Sequence, residues 1–359
     1  MTNTIAKLAA GWSAAAATVA LAWTFTGHGY PFGAADPGRD SSPIRALGPE
    51  VGAPLIAGVM LLATVAALVM SGSSAAPRGP ARGTVLAIGW TVAAALLVVL
   101  PDARFLTLAG YAPILLIGAP FGWPDVDYST VFTATLGAQA VGIAGGLLLA
   151  AATLRWQFRT NGACERCGRH EPEAGWARPD AAARWGRWAA YIAAAIPAVY
   201  AVTRLAWAAG IPMGIPAHFL NEMRAEGMTW AALGLGGFAL AGAILTLGLT
   251  QRWGEAFPRW MVGLAGRRVP IALATVPATM VAVFVTSASV GLISTDGFFV
   301  AFTGGISAAT LPMALWPLWG PALGAATLAY YLRRRSACGD CGRGRAAKVL
   351  VSAGSTEAY

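Results

Sequence analysis

The chain has 359 residues, of which 57% are hydrophobic and only 11% charged, and its net charge is +9. That composition is too apolar for a soluble enzyme of this length, and the apolar residues fall in runs of roughly 20, the length of a helix that crosses a bilayer. The basic residues cluster at the ends of those runs and form no single patch, which argues against nucleic acid as a partner and for charge-directed orientation in a lipid bilayer.

The first run, about residues 8 to 25, is long and is followed by many others, so it reads as a retained first helix and not as a secretory signal. Gly27 to Gly33, with Pro31 among them, ends it and opens a polar loop containing Asp36, Arg39, Asp40, Arg45 and Glu50. Span two covers about 51 to 71, and a turn with Arg78 and Arg82 follows. Span three, about 84 to 100, stops at Pro101-Asp102-Ala103-Arg104.

The next segment, 105 to 123, is interrupted by Gly110, Pro113, Gly118, Pro120 and Gly122. Were it to cross, the arginine-rich stretch from Arg155 to Arg187 would lie outside, against the charge rule. We expect it to be re-entrant or interfacial, which backbone at membrane depth tolerates where protein or a water-filled cavity covers it. Span four, about 129 to 154, then returns to the cytoplasm. The linker 155 to 187 is expected to be a connector with an interfacial helix. Spans five (188 to 209), six (228 to 250), seven (270 to 293) and eight (313 to 332) repeat the plan, with a second broken segment at 297 to 312.

Two similar stretches mark the exits of spans four and eight, Cys164-Glu165-Arg166-Cys167-Gly168 and Cys338-Gly339-Asp340-Cys341-Gly342, and they hold all 4 cysteines of the chain. Each is preceded at the same distance by Ala-Ala-Thr-Leu (Ala151 to Leu154, Ala325 to Leu328), so an ungapped shift of 174 residues superposes them. We therefore expect an all-α, polytopic membrane protein of about eight spans in two tandem, parallel four-helix repeats. Residues 1–154 form the first repeat, 155–187 the linker, 188–332 the second repeat and 333–359 the tail. Charge supports this: twenty of the 25 Lys and Arg residues fall on the inner side with seven acids, against four with nine acids outside. The expected location is the plasma membrane, with both termini cytoplasmic.

Four thiolates suit the tetrahedral preference of zinc, and the glycine after each pair lets the backbone turn its N–H groups toward sulfur. Cys164, Cys167, Cys338 and Cys341 are thus expected to hold one structural zinc. Unliganded reduced thiols, a redox pair and an iron–sulfur centre are the alternatives. His170 reads as a solvated linker residue. Arg204 is the one basic residue left inside a span, where it is costly. It either pairs with an outer acid (Asp102, Asp127 or Glu222) or snorkels to the headgroups. Asp102, Arg104, Asp127 and the loop with His218, Asn221 and Glu222 supply the remaining polar clusters. Gly142-x3-Gly146 and Gly320-x3-Gly324 suit close helix packing.

The stretch Arg252-Trp253-Gly254-Glu255-Ala256-Phe257-Pro258-Arg259-Trp260, with Gly266-Arg267-Arg268-Val269-Pro270 after it, resembles loops of uncharacterised polytopic membrane proteins from high-GC bacteria that carry paired CxxCG motifs. The resemblance spans most of the chain and implies the multi-pass fold without an activity. No nucleotide-binding or hydrolase motif appears in a usable context. Passage or binding of a small solute between the two halves is the favoured function. The rivals are a non-transporting scaffold that holds a cytoplasmic protein at its basic loops, and an enzyme acting on lipids.

Overall fold

The computed structural model describes residues 2–72, 79–122, 131–170, 174–294 and 307–344, and these are helical with no strand. The first half contains α1 (Thr2–Thr26), α2 (Pro49–Ser71), α3 (Pro80–Ala94, continued to Val99 by one π turn), α4 (Ala103–Gly118) and α5 (Ala134–Thr160). The second contains α6 (Pro179–Ala208), α7 (Ala217–Ala225), α8 (Thr229–Gly248), α9 (Ile271–Ile293) and α10 (Trp316–Arg334). Seven of these helices, α1, α2, α3, α5, α6, α8 and α9, are long and apolar enough to cross a membrane. The expected eighth span is α10, whose 19 residues include Trp, Pro and Gly and end on Arg333 and Arg334, and it is not among the seven. Local sequence sets several helix starts. Prolines Pro49, Pro80 and Pro179 occupy the first turn, where no N–H is needed, and the Thr133 hydroxyl accepts from the Leu136 N–H at the start of α5.

Small residues face inward and large apolar ones outward. The core of the first half is built largely from alanines, including Ala9, Ala63, Ala67 and Ala152, and that of the second from Ala190, Ala193 and Ala326 around the fully buried Tyr330. Leu61, Leu62, Val65 and Leu68 of α2, and Phe238, Ile244 and Leu245 of α8, are exposed. This is packing suited to lipid, where helices gain by close backbone approach and hydrocarbon already solvates the large side chains. The glycines of α5 act accordingly. A Cβ on Gly142 would lie 2.3 Å from Leu100, one on Gly145 2.1 Å from the Trp12 ring, and one on Gly146 2.9 Å from Leu96. In α10, a Cβ on Gly320 would lie 2.1 Å from Thr286 of α9.

The helix pairings of the two halves run in the same order. In the first, α1 packs on α2 and α5, and α3 on α5; in the second, α6 packs on α8 and α10, and α9 on α10. The turns after α1 and α6 correspond too. Gly29 and Gly33 have φ of 84° and 66°, and Gly210 and Gly214 have 86° and 73°, left-handed values that favour glycine.

Three expectations change. The segment after Asp102 is not broken at Gly110 or Pro113. It forms α4, an unbroken helix of 16 residues that is shorter than a bilayer span, because the loss of one intrahelical hydrogen bond at a proline is tolerated where the helix packs on a neighbour, here α9. The helical part of the linker is continuous with span five, since a 3-10 turn at Gly175–Ala177 leads into α6, which begins at Pro179, well before residue 188, and runs on without a break. His218, Asn221 and Glu222 lie not in a loop but on α7, whose apolar residues Leu220 and Met223 are buried beside Trp207. Of the second broken segment, 297–306 falls outside the described residues.

The halves meet where α9 leaves its own unit to pack on α4 and on the π turn of α3. Phe105 stacks on Phe284 with centroids 5.5 Å apart, the buried Ser287 hydroxyl donates to the Pro101 carbonyl (2.8 Å), and Arg45 Nη2 donates to the Ser294 carbonyl (2.6 Å).

Filling a glycine contact tests this packing. Gly145→Val should destabilise the protein by about 1–3 kcal/mol through overpacking, seen as a lowered melting temperature in detergent. Gly58→Ala, where a Cβ meets nothing within 4 Å, should be neutral or slightly stabilising.

A candidate four-thiolate metal centre

Each cysteine pair sits on a tight turn reached from the end of a long helix. In the first, the Gly168 N–H donates to the Cys164 carbonyl (2.7 Å) and the Cys164 N–H to the Arg169 carbonyl (3.1 Å). In the second, the Gly342 N–H donates to the Cys338 carbonyl (2.9 Å) and the Cys338 N–H to the Arg343 carbonyl (2.9 Å). Gly168 and Gly342 adopt φ of 69° and 67°, which closes the turn. At Gly168 a side chain would also strike the Phe158 ring, with a Cβ only 2.5 Å from it.

The two turns face each other, each residue against the one 174 positions on. Cys164 Sγ lies 3.9 Å from Cys338 Sγ, and Cys167 Sγ 3.7 Å from Cys341 Sγ. Arg166 Nη1 is 2.8 Å from Asp340 Oδ1. Arg169 Nη1 donates to the Arg343 carbonyl (3.0 Å) while Arg343 Nη1 donates back to the Arg169 carbonyl (2.7 Å). Such reciprocity is what a local two-fold axis produces. Arg159 and Arg333, at the same separation, extend the pattern, donating to the Met70 carbonyl at the end of α2 (2.9 Å) and to the Leu249 carbonyl at the end of α8 (2.6 Å).

The four sulfurs lie within 4.8 Å of one another. A tetrahedral ion with bonds of about 2.3 Å to sulfur sets its ligands about 3.8 Å apart, the spacing of the two facing pairs, and the four sulfurs together lie within 4.8 Å. His170 is not in the cluster. The turns also prepare sulfur for a cation. Backbone N–H groups of Cys341 and Asp340 draw the Cys338 thiol down to about 6, and that of Cys167 lowers Cys164. Burial, reinforced by the neighbouring thiols, pushes Cys167 up to about 12. A cation held among them would offset the charge that four sulfurs at this spacing carry on losing their protons.

The other candidates separate into two groups. Asp102 and Arg104 come together at the opposite end of the molecule, with two partners the sequence did not single out. Arg104 Nε donates to Asp102 Oδ1 (2.9 Å), while its Nη1 and Nη2 clamp the two oxygens of Asp36, each at 2.7 Å. Gln139 Nε2 donates to Asp102 Oδ2 (2.9 Å), and Asp102 and Gln139 are fully buried. Burial would raise the Asp36 carboxyl, but Arg104 and the Gly38 N–H hold it below its ordinary value. Gln139 was the legible signal, being the one amide in the apolar stretch of α5.

Arg204, in contrast, pairs with neither Asp102, which Arg104 and Gln139 engage, nor Glu222, which is exposed on α7 beside His218. Its guanidinium lies 4.0 Å from the Trp207 ring centroid and 4.6 Å from that of Tyr200, and its Nη1 is buried without a hydrogen-bond partner. The guanidinium is thus held against two ring faces, and neither Asp102 nor Glu222 is its partner. Asp127 lies outside the described residues.

Comparison of the chain with protein-family models, curated proteins and solved structures finds no match.

Two substitutions separate the interactions at the junction. Arg169 is buried and donates to the carbonyls of Ser336, Arg343 and Arg335, so Arg169→Lys, which loses the planar fork, should speed modification of the cysteines by a thiol reagent. Asp340→Asn breaks only an exposed ion pair, worth less than about 1 kcal/mol, and should leave that rate unchanged.

Proposed function

We propose that this is a membrane platform of two tandem four-helix units, clasped at their cytoplasmic ends by one structural zinc and presenting a basic cytoplasmic face to a partner. The single observation that supports it best is the meeting of the two CxxCG turns. Chain leaving the first turn must return to the same side to reach the second, so an even number of crossings separates them. The helices α6, α8 and α9 are three; α10 supplies the fourth and becomes the eighth span. The same parity makes the repeats parallel and sets Cys164, Cys167, Cys338 and Cys341 on the side rich in arginine, the cytoplasm by the charge rule.

Zinc is the ion of choice because an all-sulfur tetrahedral site with no open position is its usual structural site. A platform fits better than a carrier because the halves are tied at both ends. The thiolates tie one; α9 against α3 and α4 ties the other, where Ser287 is buried in the contact. Transport by rocking of the halves would have to break one of these ties. A lipid-directed enzyme has little support, since among the described residues the cysteines are the one convergent group of three or more His, Cys, Asp or Glu.

Solute binding stays as a second reading on one observation, the buried and unpartnered Nη1 of Arg204. An arginine there could hold an anionic solute near the outer end of α6.

Metal analysis of the purified protein should find one zinc per chain, and Cys164→Ser and Cys338→Ser should lower it to similar extents. No metal, iron or two zincs would remove the claim. Arg204→Ala should leave zinc content and folding intact and, on the platform reading, leave function unaltered. If instead the change abolishes uptake or binding of a solute in cells, with Arg204→Lys restoring it in part, the second reading replaces the first.

A further inference from the structure

The connection between α8 and α9 is a hairpin with a fixed base and, among the described residues, an exposed tip. At the base, the Phe257 N–H donates to the Arg267 carbonyl (2.9 Å) and the Val269 N–H to the Glu255 carbonyl (3.0 Å). Residues of α10 hold it from the side. The Tyr330 hydroxyl donates to the Gly254 carbonyl (2.7 Å), Arg333 Nη1 to Glu255 Oε1 (2.8 Å), and Arg334 Nη2 to the Val269 carbonyl (2.9 Å). Trp253 packs on the last turn of α8, where a Cβ on Gly248 would lie 2.6 Å from its ring. These ties fix the direction in which the tip projects.

The tip itself is apolar and basic. Val262 is 97% exposed and Trp260 78% exposed, with Leu264 exposed beside them and Arg252, Arg259, Arg267 and Arg268 all at the surface. Exposed apolar side chains of this size are ordinary on the lipid-facing sides of spans. Here they stand beyond the ends of α8 and α9, in a loop that two apolar helices hold at the membrane surface. An apolar tip ringed by guanidinium groups matches one environment, the boundary between anionic headgroups and acyl chains. Tryptophan is enriched at that depth for the same reason.

We propose that the hairpin 257–268 docks on anionic phospholipid, with Trp260, Val262 and Leu264 entering the interface and Arg259, Arg267 and Arg268 pairing with phosphate. This deepens the platform reading by naming lipid as the partner of this part of the basic face. A negative result here would leave the zinc clasp and the packed seam untouched, because those are read at other residues.

The test is hydrogen–deuterium exchange of the full chain in nanodiscs of phosphatidylcholine alone and of phosphatidylcholine with phosphatidylglycerol. Both leaflets then carry the same lipid, so the result does not depend on orientation. Peptides within 258–266 should exchange several-fold more slowly with the anionic lipid, while peptides of α9 stay unchanged. Arg259→Gln with Arg267→Gln and Arg268→Gln should abolish that difference, and Val262→Ser with Trp260→Ser should reduce it. Exchange indifferent to lipid charge, or slowed only when a soluble protein is added, would overturn the proposal.

Discussion

Four cysteine sulfurs within 4.8 Å of one another are the constraint on which the rest of the arrangement depends. Without a cation, four thiolates so close repel, and as neutral thiols they give little attraction. Their approach is enforced from outside, by backbone and arginine contacts that repeat on both sides of a local two-fold. The buried Arg169 fastens its turn to three carbonyls of the other, and Arg343 answers it. Because every such contact joins residue i to a residue at or near i + 174, the junction sets the register of one half against the other. The helices leading into it, α5 and α10, must therefore end at the same level and on the same side.

From that level outward, small residues set how the helices fit. Alanine and glycine line the contacts of both halves, so neighbouring backbones approach closely and the large apolar side chains turn to the periphery. Polar groups appear where a helix end or a loop would otherwise leave a bond unmade. Arg159 and Arg333 take up carbonyls at the ends of α2 and α8, a favourable place for a cation. At the end far from the cysteines Arg104 joins the loop after α1 to the hinge between α3 and α4 by five charged hydrogen bonds. One arginine between two buried carboxylates has its donors and acceptors largely matched, and removing one of the three would leave the others uncompensated.

Much of this was legible in the chain. The lengths of apolar runs and the placement of arginine anticipated the helices to within a few residues for α2 and α9, and the repeated CxxCG marked the residues that meet. What escaped was determined by neighbours distant in sequence. Proline and glycine in α4 signal a break locally, yet the helix lies along α9 and continues. The helical character of 217–225 rests on Leu220 and Met223 finding Trp207, a contact no local pattern shows. Arg204 suggests either an acid partner or the headgroups, because a charge within a span needs compensation; the rings of Tyr200 and Trp207, one helical turn away on either side, are visible in the sequence but their direction is not. Asp36 escapes for a related reason, being an ordinary loop residue until Arg104 is placed beside it, whereas Gln139, an amide within an apolar span, is a signal the sequence does carry.

On the proposed reading, one zinc ion is held by Cys164, Cys167, Cys338 and Cys341 and joins the two halves. X-ray absorption at the zinc edge of the purified protein reads that ligand set directly. The account predicts four sulfur neighbours at about 2.3 Å and no nitrogen or oxygen in the first shell. A shell that mixes sulfur with nitrogen or oxygen, or a protein free of zinc, would contradict it.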